Sequence, residues 1–363
     1  MTLLDDELGA QPEVAAGLLD AQLGRVDELR SAVLPDGAEL DGIVLVARGS
    51  SDNAARYAQY LWSIRTRLPV ALATPSLTTV YGTPLDFGGK AVVAISQSGS
   101  SPDVVAVLQQ ARTQGCPTLA ITNDPTSALA GAAAAVIDLC AGDERSVAAT
   151  KTYTASLVAV ALVAVALGHR AERELAVADL RQLPAALEAA VLRTSGVDEA
   201  AQVLESAWRA VAVGRGLNLS TAYETALKLT ELTGTLVAPY SPADLMHGPI
   251  GAVTADVPVL LVAPDEPASA SVLEIAPEVA RRRAPVIVLG SAAAVDRVTS
   301  AIGSSAADTS VFGVVLAEDA AVASWLTPVT AVVPGQLLAR EVATRRGVDV
   351  DSPGGLSKVT LTT

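Results

Sequence analysis

The chain has 363 residues, a formal net charge of −14 and 50% hydrophobic residues, of which aromatics account for only 3% of the chain. That length allows two or three domains with an ample core built from Ala, Val and Leu. The acidity argues against a nucleic-acid partner or a polybasic membrane surface, and the mean hydropathy of +0.41 argues against disorder.

Two cysteines, Cys116 and Cys140, make no disulfide framework, and two histidines, His169 and His247, make no His-rich metal centre. No metal and no other cofactor is therefore expected. The acidic start MTLLDDELGAQPEV lacks the basic, apolar, small-residue order of a signal peptide, so a cytoplasmic protein is expected.

In chain order, residues 1–40 read as a helical lead-in. Short β-branched runs then alternate with longer helical stretches, the pattern of a doubly wound parallel sheet flanked by helices. Strands are predicted at Gly42–Ala47, Val70–Ala73, Ala91–Ile95, Thr118–Thr122 and Ala135–Leu139, with helices such as Ser51–Arg65 and Asp103–Gln114 between them. The run Thr154–Gly168 is apolar all round. It is shorter than the ~20 residues a membrane span needs, so a buried helix is predicted, covered by the protein's own sheets or by a second subunit.

An Ala-rich connection with Pro184 follows at 171–199. A second series of strands is predicted at Ala210–Val213, Val257–Val262, Val286–Gly290 and Ser310–Val315. The two series look like copies of one unit. Arg48-Gly49 recurs as Arg215-Gly216, 167 residues on, and other landmarks keep that offset to within one residue. Two tandem α/β domains, 41–170 and 200–345, are expected, followed by a Gly/Pro-containing tail at 346–363.

Three features carry chemistry. Predicted strand Ala91–Ile95 runs into Ser96-Gln97-Ser98-Gly99-Ser100-Ser101, and Pro102 suits a first helical position. Unpaired N–H groups at a helix start, ringed by hydroxyls, suit a phosphate; an ordinary Ser-rich turn is the bland alternative. The second copy has Ala263-Pro264-Asp265-Glu266 at the equivalent place, which would repel phosphate.

Lysine is scarce, with four against 21 arginines, and a primary amine can do imine chemistry that a guanidinium cannot. Glu224, Lys228 and Glu231 share one helix face by their i, i+4, i+7 spacing, which fits either chemistry or an exposed salt-bridge ladder. His247 precedes Gly248-Pro249 at a chain turn, where a lone histidine is most often structural; His169 fits that description better still.

In order along the chain, ELGAQPEV, RGSS, SQSGSSPD, ERSVAATK, GRGLNLSTAYETALKLTE, HGP and DVDSPGGLSKVTLTT resemble the sugar isomerase (SIS) fold family. They are most similar to the isomerase domains of the glutamine:fructose-6-phosphate amidotransferases. The resemblance spans essentially the whole chain and implies two tandem SIS domains, each an αβα sandwich.

It further implies a phosphate site at Ser96, Gln97, Ser98 and Ser101, with Ser101 replacing a more usual threonine. Ser51 would contact the sugar, and the backbone near Val147 would bound the pocket. Glu231 would be the base that moves a proton between carbons 1 and 2, helped by Lys228. His247, supplied across a homodimer interface, would open the sugar ring, and Lys358 would form an imine with the ketose.

The implied substrate is a 6-phosphorylated hexose or amino sugar. The family's glutaminase domain has no counterpart in this sequence, so deamination of glucosamine 6-phosphate to fructose 6-phosphate is the expected direction. Cleavage of a fructosamine 6-phosphate, a synthase fed by a separate glutaminase, and a sugar-phosphate sensor are the alternatives. Gly354-Gly355 in place of the family's Arg-Asn pair, and the distinct APYSPADLMHGP segment, leave the amine and the exact sugar open.

Overall fold

The computed structural model describes residues 2–303, 309–356 and 358. They form two compact units.

The first unit comprises Glu13–Glu144, Lys151–Gln182 and Lys358. Its sheet contains β1 (Gly42–Val46), β2 (Val70–Leu72), β3 (Lys90–Ile95), β4 (Thr118–Thr122) and β5 (Ala135–Asp138). All neighbours are parallel, in the order β2-β1-β3-β4-β5. Every residue of β4, and all of β3 beyond Lys90, is buried. This explains the unbroken Val, Ile and Ala runs, because helices cover both faces of a parallel sheet.

Helix Lys151–Leu167 is buried along all of its 17 residues, packed on helices Gly49–Thr66 and Val26–Val33. The chain itself covers this helix, so its apolar surface calls for no second subunit. Trp62 of helix Gly49–Thr66 is fully buried and donates its indole N–H to the Val160 carbonyl at 3.0 Å. A large apolar ring is thereby buried without stranding its polar handle.

The second unit holds the described residues through Pro12, Arg145–Thr150 and Leu183–Leu356. Its sheet contains β6 (Arg209–Val213), β7 (Leu236–Tyr240), β8 (Val259–Ala263), β9 (Val286–Gly290) and β10 (Val311–Val315). It too is wholly parallel, in the order β10-β9-β8-β6-β7. Successive residues serve opposite layers. Ala210, Ala212, Leu260 and Val262 join the core with helices Leu219–Thr233 and Thr327–Arg345, while Val211, Val213, Val259 and Leu261 join the core on the other face. Each fully buried Val or Leu contributes roughly 1.5–3 kcal/mol.

Numbered within each copy, both sheets have the order 2-1-3-4-5, so the repeat read from the sequence is a repeat of topology. The turn geometry repeats as well. Arg48 (φ −141°, ψ 157°) and Arg215 (φ −147°, ψ 156°) stand two residues after the first strand of each copy, as helix N-caps in the same conformation, and each is followed by a glycine near φ +60°.

Two sequence expectations need correction. β7 was not among the predicted strands, because its Pro239 and turn-like flanks mask it. A proline is tolerated there because β7 is the edge of the sheet, where one side of the backbone needs no ladder partner. The strand predicted from Val257 starts at Val259, since Pro258 precedes it.

Candidate active site

In a doubly wound sheet, ligands bind outside the carboxyl ends of the strands where the strand order reverses. In the first unit that place lies between β1 and β3. The chain leaving β1 opens helix Gly49–Thr66, whose first turn carries Ser51, and the loop leaving β3 carries Ser96–Ser101 and opens helix Pro102–Thr113. The fold thus places Ser51, Ser96, Gln97, Ser98 and Ser101 beyond the carboxyl ends of the neighbouring strands β1 and β3, with two helix N-termini offering partial positive charge.

The serine loop is anchored from behind. The Gln97 carbonyl accepts the Asn123 N–H at 3.0 Å and the Thr122 hydroxyl at 3.3 Å, and the Gly99 carbonyl accepts the Leu129 N–H at 3.0 Å. Gly99 has φ +60°, and a Cβ there would lie 2.1 Å from the Ser127 Oγ, so only glycine fits. Ser101 is the N-cap of helix Pro102–Thr113, yet its side chain makes no cap bond. Ser98 and Ser100 share a hydroxyl contact at 2.8 Å. The first turn of the same helix also carries a buried acid, Asp103, neutralised by Arg48 at 2.7 Å.

The second copy fills its equivalent crevice. Between β6 and β8 the Glu266 carboxylate accepts the Ala268 N–H at 3.3 Å and a long 3.5 Å bond from the Asn218 amide. Burial pushes the Glu266 carboxyl up, opposed by those hydrogen bonds. An anionic side chain stands where the first copy has serines.

Also in the second unit, helix Leu219–Thr233 carries the carboxylate pair expected from the spacing. Lys228 is 1% exposed, with its Nζ 2.5 Å from Glu231 and 3.4 Å from the fully buried Glu224. The exposed-ladder alternative therefore fails. The helix buries an ammonium between two carboxylates, and the Glu231 side chain keeps 26% exposure. Glu224 belongs to this cluster, although the sequence singled it out only by spacing.

His247 follows the short helix Pro242–Met246 and is exposed. Its Nδ1 lies 2.6 Å from the Ala243 carbonyl. A carbonyl only accepts, so Nδ1 carries a proton and Nε2 is left to accept one in the neutral ring. The Val147 N–H reaches the Asp351 carbonyl at 3.4 Å. Around it, Glu7 accepts hydrogen bonds from the backbone of Arg145 and Ser146, and Asp351 accepts the Leu3 and Leu4 N–H groups at 2.9 Å.

Lys358 belongs to the first unit, where its Nζ is 2.7 Å from Glu144. No sequence signal pairs these residues, which stand 214 positions apart. The ten expected site residues thus fall into four groups: the five beyond the carboxyl ends of β1 and β3, the Lys228–Glu231 pair with His247 on a separate element of the same unit, Val147, and Lys358.

A model of the SIS domain matches residues 39–166 and 203–335, which takes in both sheets. The chain belongs to the SIS domain family. Its sequence is 34% identical over 366 residues to the glutamine–fructose-6-phosphate aminotransferase (isomerizing) of Gloeobacter violaceus, covering 97% of this chain and 57% of that protein. An enzyme of the same name from Thermus thermophilus is 32% identical at the same coverage. This SIS protein thus spans a little over half the length of these curated relatives.

Among solved structures, the C-terminal domain of glucosamine-fructose-6-phosphate aminotransferase from Francisella tularensis superimposes with a TM-score of 0.84 at 25% identity, covering 97% of this chain and 98% of that one. A Silicibacter pomeroyi protein provisionally described as a phosphosugar isomerase gives 0.82 at 31% identity, covering 97% and 100%. Among the described residues, no helix is long and apolar enough to cross a membrane.

Proposed function

We propose that this SIS protein is a phosphosugar isomerase-type enzyme that interconverts a 6-phosphorylated ketose with an aldose or amino sugar. The specific reaction proposed is the hydrolytic deamination of glucosamine 6-phosphate, with water, to fructose 6-phosphate and ammonia. Ser96, Gln97, Ser98 and Ser101 hold the phosphate, Ser51 contacts the sugar, and the backbone at Val147 bounds the pocket. His247, its Nδ1 turned to the Ala243 carbonyl, takes at Nε2 the proton whose removal opens the sugar ring. Glu231 then moves a proton between carbons 1 and 2, while Lys228 stabilises the oxyanion of the enediol or enolamine. Lys358 forms the imine with the open-chain ketose, its Nζ bonding carbon 2 as the carbonyl oxygen leaves as water, and hydrolysis reverses the step to free the amine.

The observation that carries this reading is the burial of Lys228 between Glu224 and Glu231. Taking the Lys228 and Glu224 charges out of water costs several kcal/mol. A sensor that only recognised the phosphate would gain nothing from it, because the serine crevice alone would serve. A base that must be oriented and held next to a cation gains directly.

The protein is further proposed to act in the cytoplasm as a C₂ homodimer in which His247 completes the partner's site. Support for the dimer is the exposure of His247, not the apolar helix. Product analysis tests the reaction: purified protein is given glucosamine 6-phosphate, or fructose 6-phosphate with ammonia or glutamine. Fructose 6-phosphate and ammonia from the amino sugar are expected. Turnover of a fructosamine 6-phosphate alone would establish the deglycase instead, and phosphosugar binding without turnover of any of these would make the chain a sensor.

A further inference from the structure

Glu144 is buried and lies just before helix Lys151–Leu167. Its Oε1 accepts the Thr152 N–H at 3.1 Å, and its Oε2 accepts the Thr152 hydroxyl at 2.6 Å. The same Oε2 holds the Lys358 Nζ at 2.7 Å. A carboxylate fixed by a backbone N–H and a hydroxyl at the start of a 17-residue helix is rigid and stabilised as an anion. The side chain of the lysine it holds keeps 24% exposure.

We infer that Glu144 is a latch on Lys358: it positions the amine and keeps it unreactive toward carbonyls until the ion pair opens. An amine attacks a carbonyl only through a free lone pair, after its proton has left. While Nζ donates to the Glu144 Oε2 at 2.7 Å it is turned onto a buried carboxylate, and that contact must break before a lone pair can be aimed at a carbonyl. Lys90 offers the contrast, since its Nζ donates only to the Gly88 carbonyl at 3.0 Å on the surface. The consequence for a ketose imine rests on the function proposed above; the latch itself does not.

The test uses formaldehyde with cyanoborohydride as the carbonyl probe on the full chain, with methylation of Lys358 and Lys90 followed by peptide mass spectrometry. In the wild type, Lys358 should lag Lys90 about tenfold, the scale of a lost charge-assisted hydrogen bond. Glu144→Gln keeps the helix-start acceptor and removes the charge, and should bring the two rates within about threefold. Thr152→Val removes a hydroxyl from the same carboxylate without touching the ion pair, and should leave the lag in place. Should Glu144→Gln not fold, as judged by thermal melting, Glu144→Asp withdraws the carboxylate and should shorten the lag. Equal rates in the wild type, or a lag unmoved by the Glu144 variant that folds, overturns the latch. Neither result depends on whether a phosphosugar is turned over.

Discussion

Arg48, two residues after β1, and Asp103 in the first turn after the serine loop form an ion pair of 2.7 Å, with the Asp103 carboxylate 2% exposed. An unpaired buried acid would oppose a phosphate held by the serine loop, so Arg48 is expected to support the proposed phosphate site. Arg48→Ala should weaken phosphosugar binding roughly tenfold, and adding Asp103→Asn in the same chain should restore most of it. Calorimetric titration with glucosamine 6-phosphate checks both variants.

Ser98→Ala should raise the dissociation constant as well, by about 1.5–3 kcal/mol for a hydroxyl contact to a charged group. Bound phosphosugar in crystals should appear once per chain, at the first crevice. Density at the β6/β8 crevice would show that Glu266 does not exclude anions.

Glu231→Gln keeps the shape and removes the base. Turnover should fall on the order of 10²–10⁴-fold, and solvent hydrogen exchange at carbon 2 of the sugar should vanish with it. Exchange that persists would place the base elsewhere.

Lys228→Met leaves Glu224 fully buried without its cation. Breaking a buried pair in this way should cost about 3–5 kcal/mol, read from urea unfolding. The double variant with Glu224→Gln should recover part of the loss, because the uncompensated charge goes too.

Glu266 gives a pH dependence with a definite sign. Burial raises its pKa above the ordinary 4.5, so the folded state holds the proton after the unfolded chain has released it. Stability therefore falls as pH rises from about 4.5 through the raised value. Glu266→Gln should match the wild type at about pH 4 and exceed it increasingly toward neutrality, as thermal melts across that range would show.

Mixing Glu231→Gln with His247→Ala tests the shared site. If each site combines Glu231 of one chain with His247 of the other, half the sites of each heterodimer are intact. Random exchange should then restore up to about a quarter of wild-type activity. No recovery, with subunit exchange proven by mass spectrometry, would place His247 in its own chain's site or outside catalysis.

What the sequence determined by itself is whatever is written locally. Val and Ile runs give the central strands, because a strand buried on both faces needs no polar alternation. The recurrence of Arg-Gly 167 positions apart gives the repeated unit, and Pro102 after the Ser-rich turn gives the start of helix Pro102–Thr113. Edge strand β7 escaped, because at a sheet edge the rules that exclude proline relax.

Tertiary structure alone decided the rest, since burial and long-range pairing belong to the packed chain. Spacing placed Glu224, Lys228 and Glu231 on one face, but whether that face met water or a core depended on what packs against the helix. The apolar helix Lys151–Leu167 demanded cover without naming its source, and the fold supplied it from the chain's own helices. Glu144 and Lys358 are 214 residues apart, beyond the reach of any periodicity, and only the folded chain puts an amine on that carboxylate.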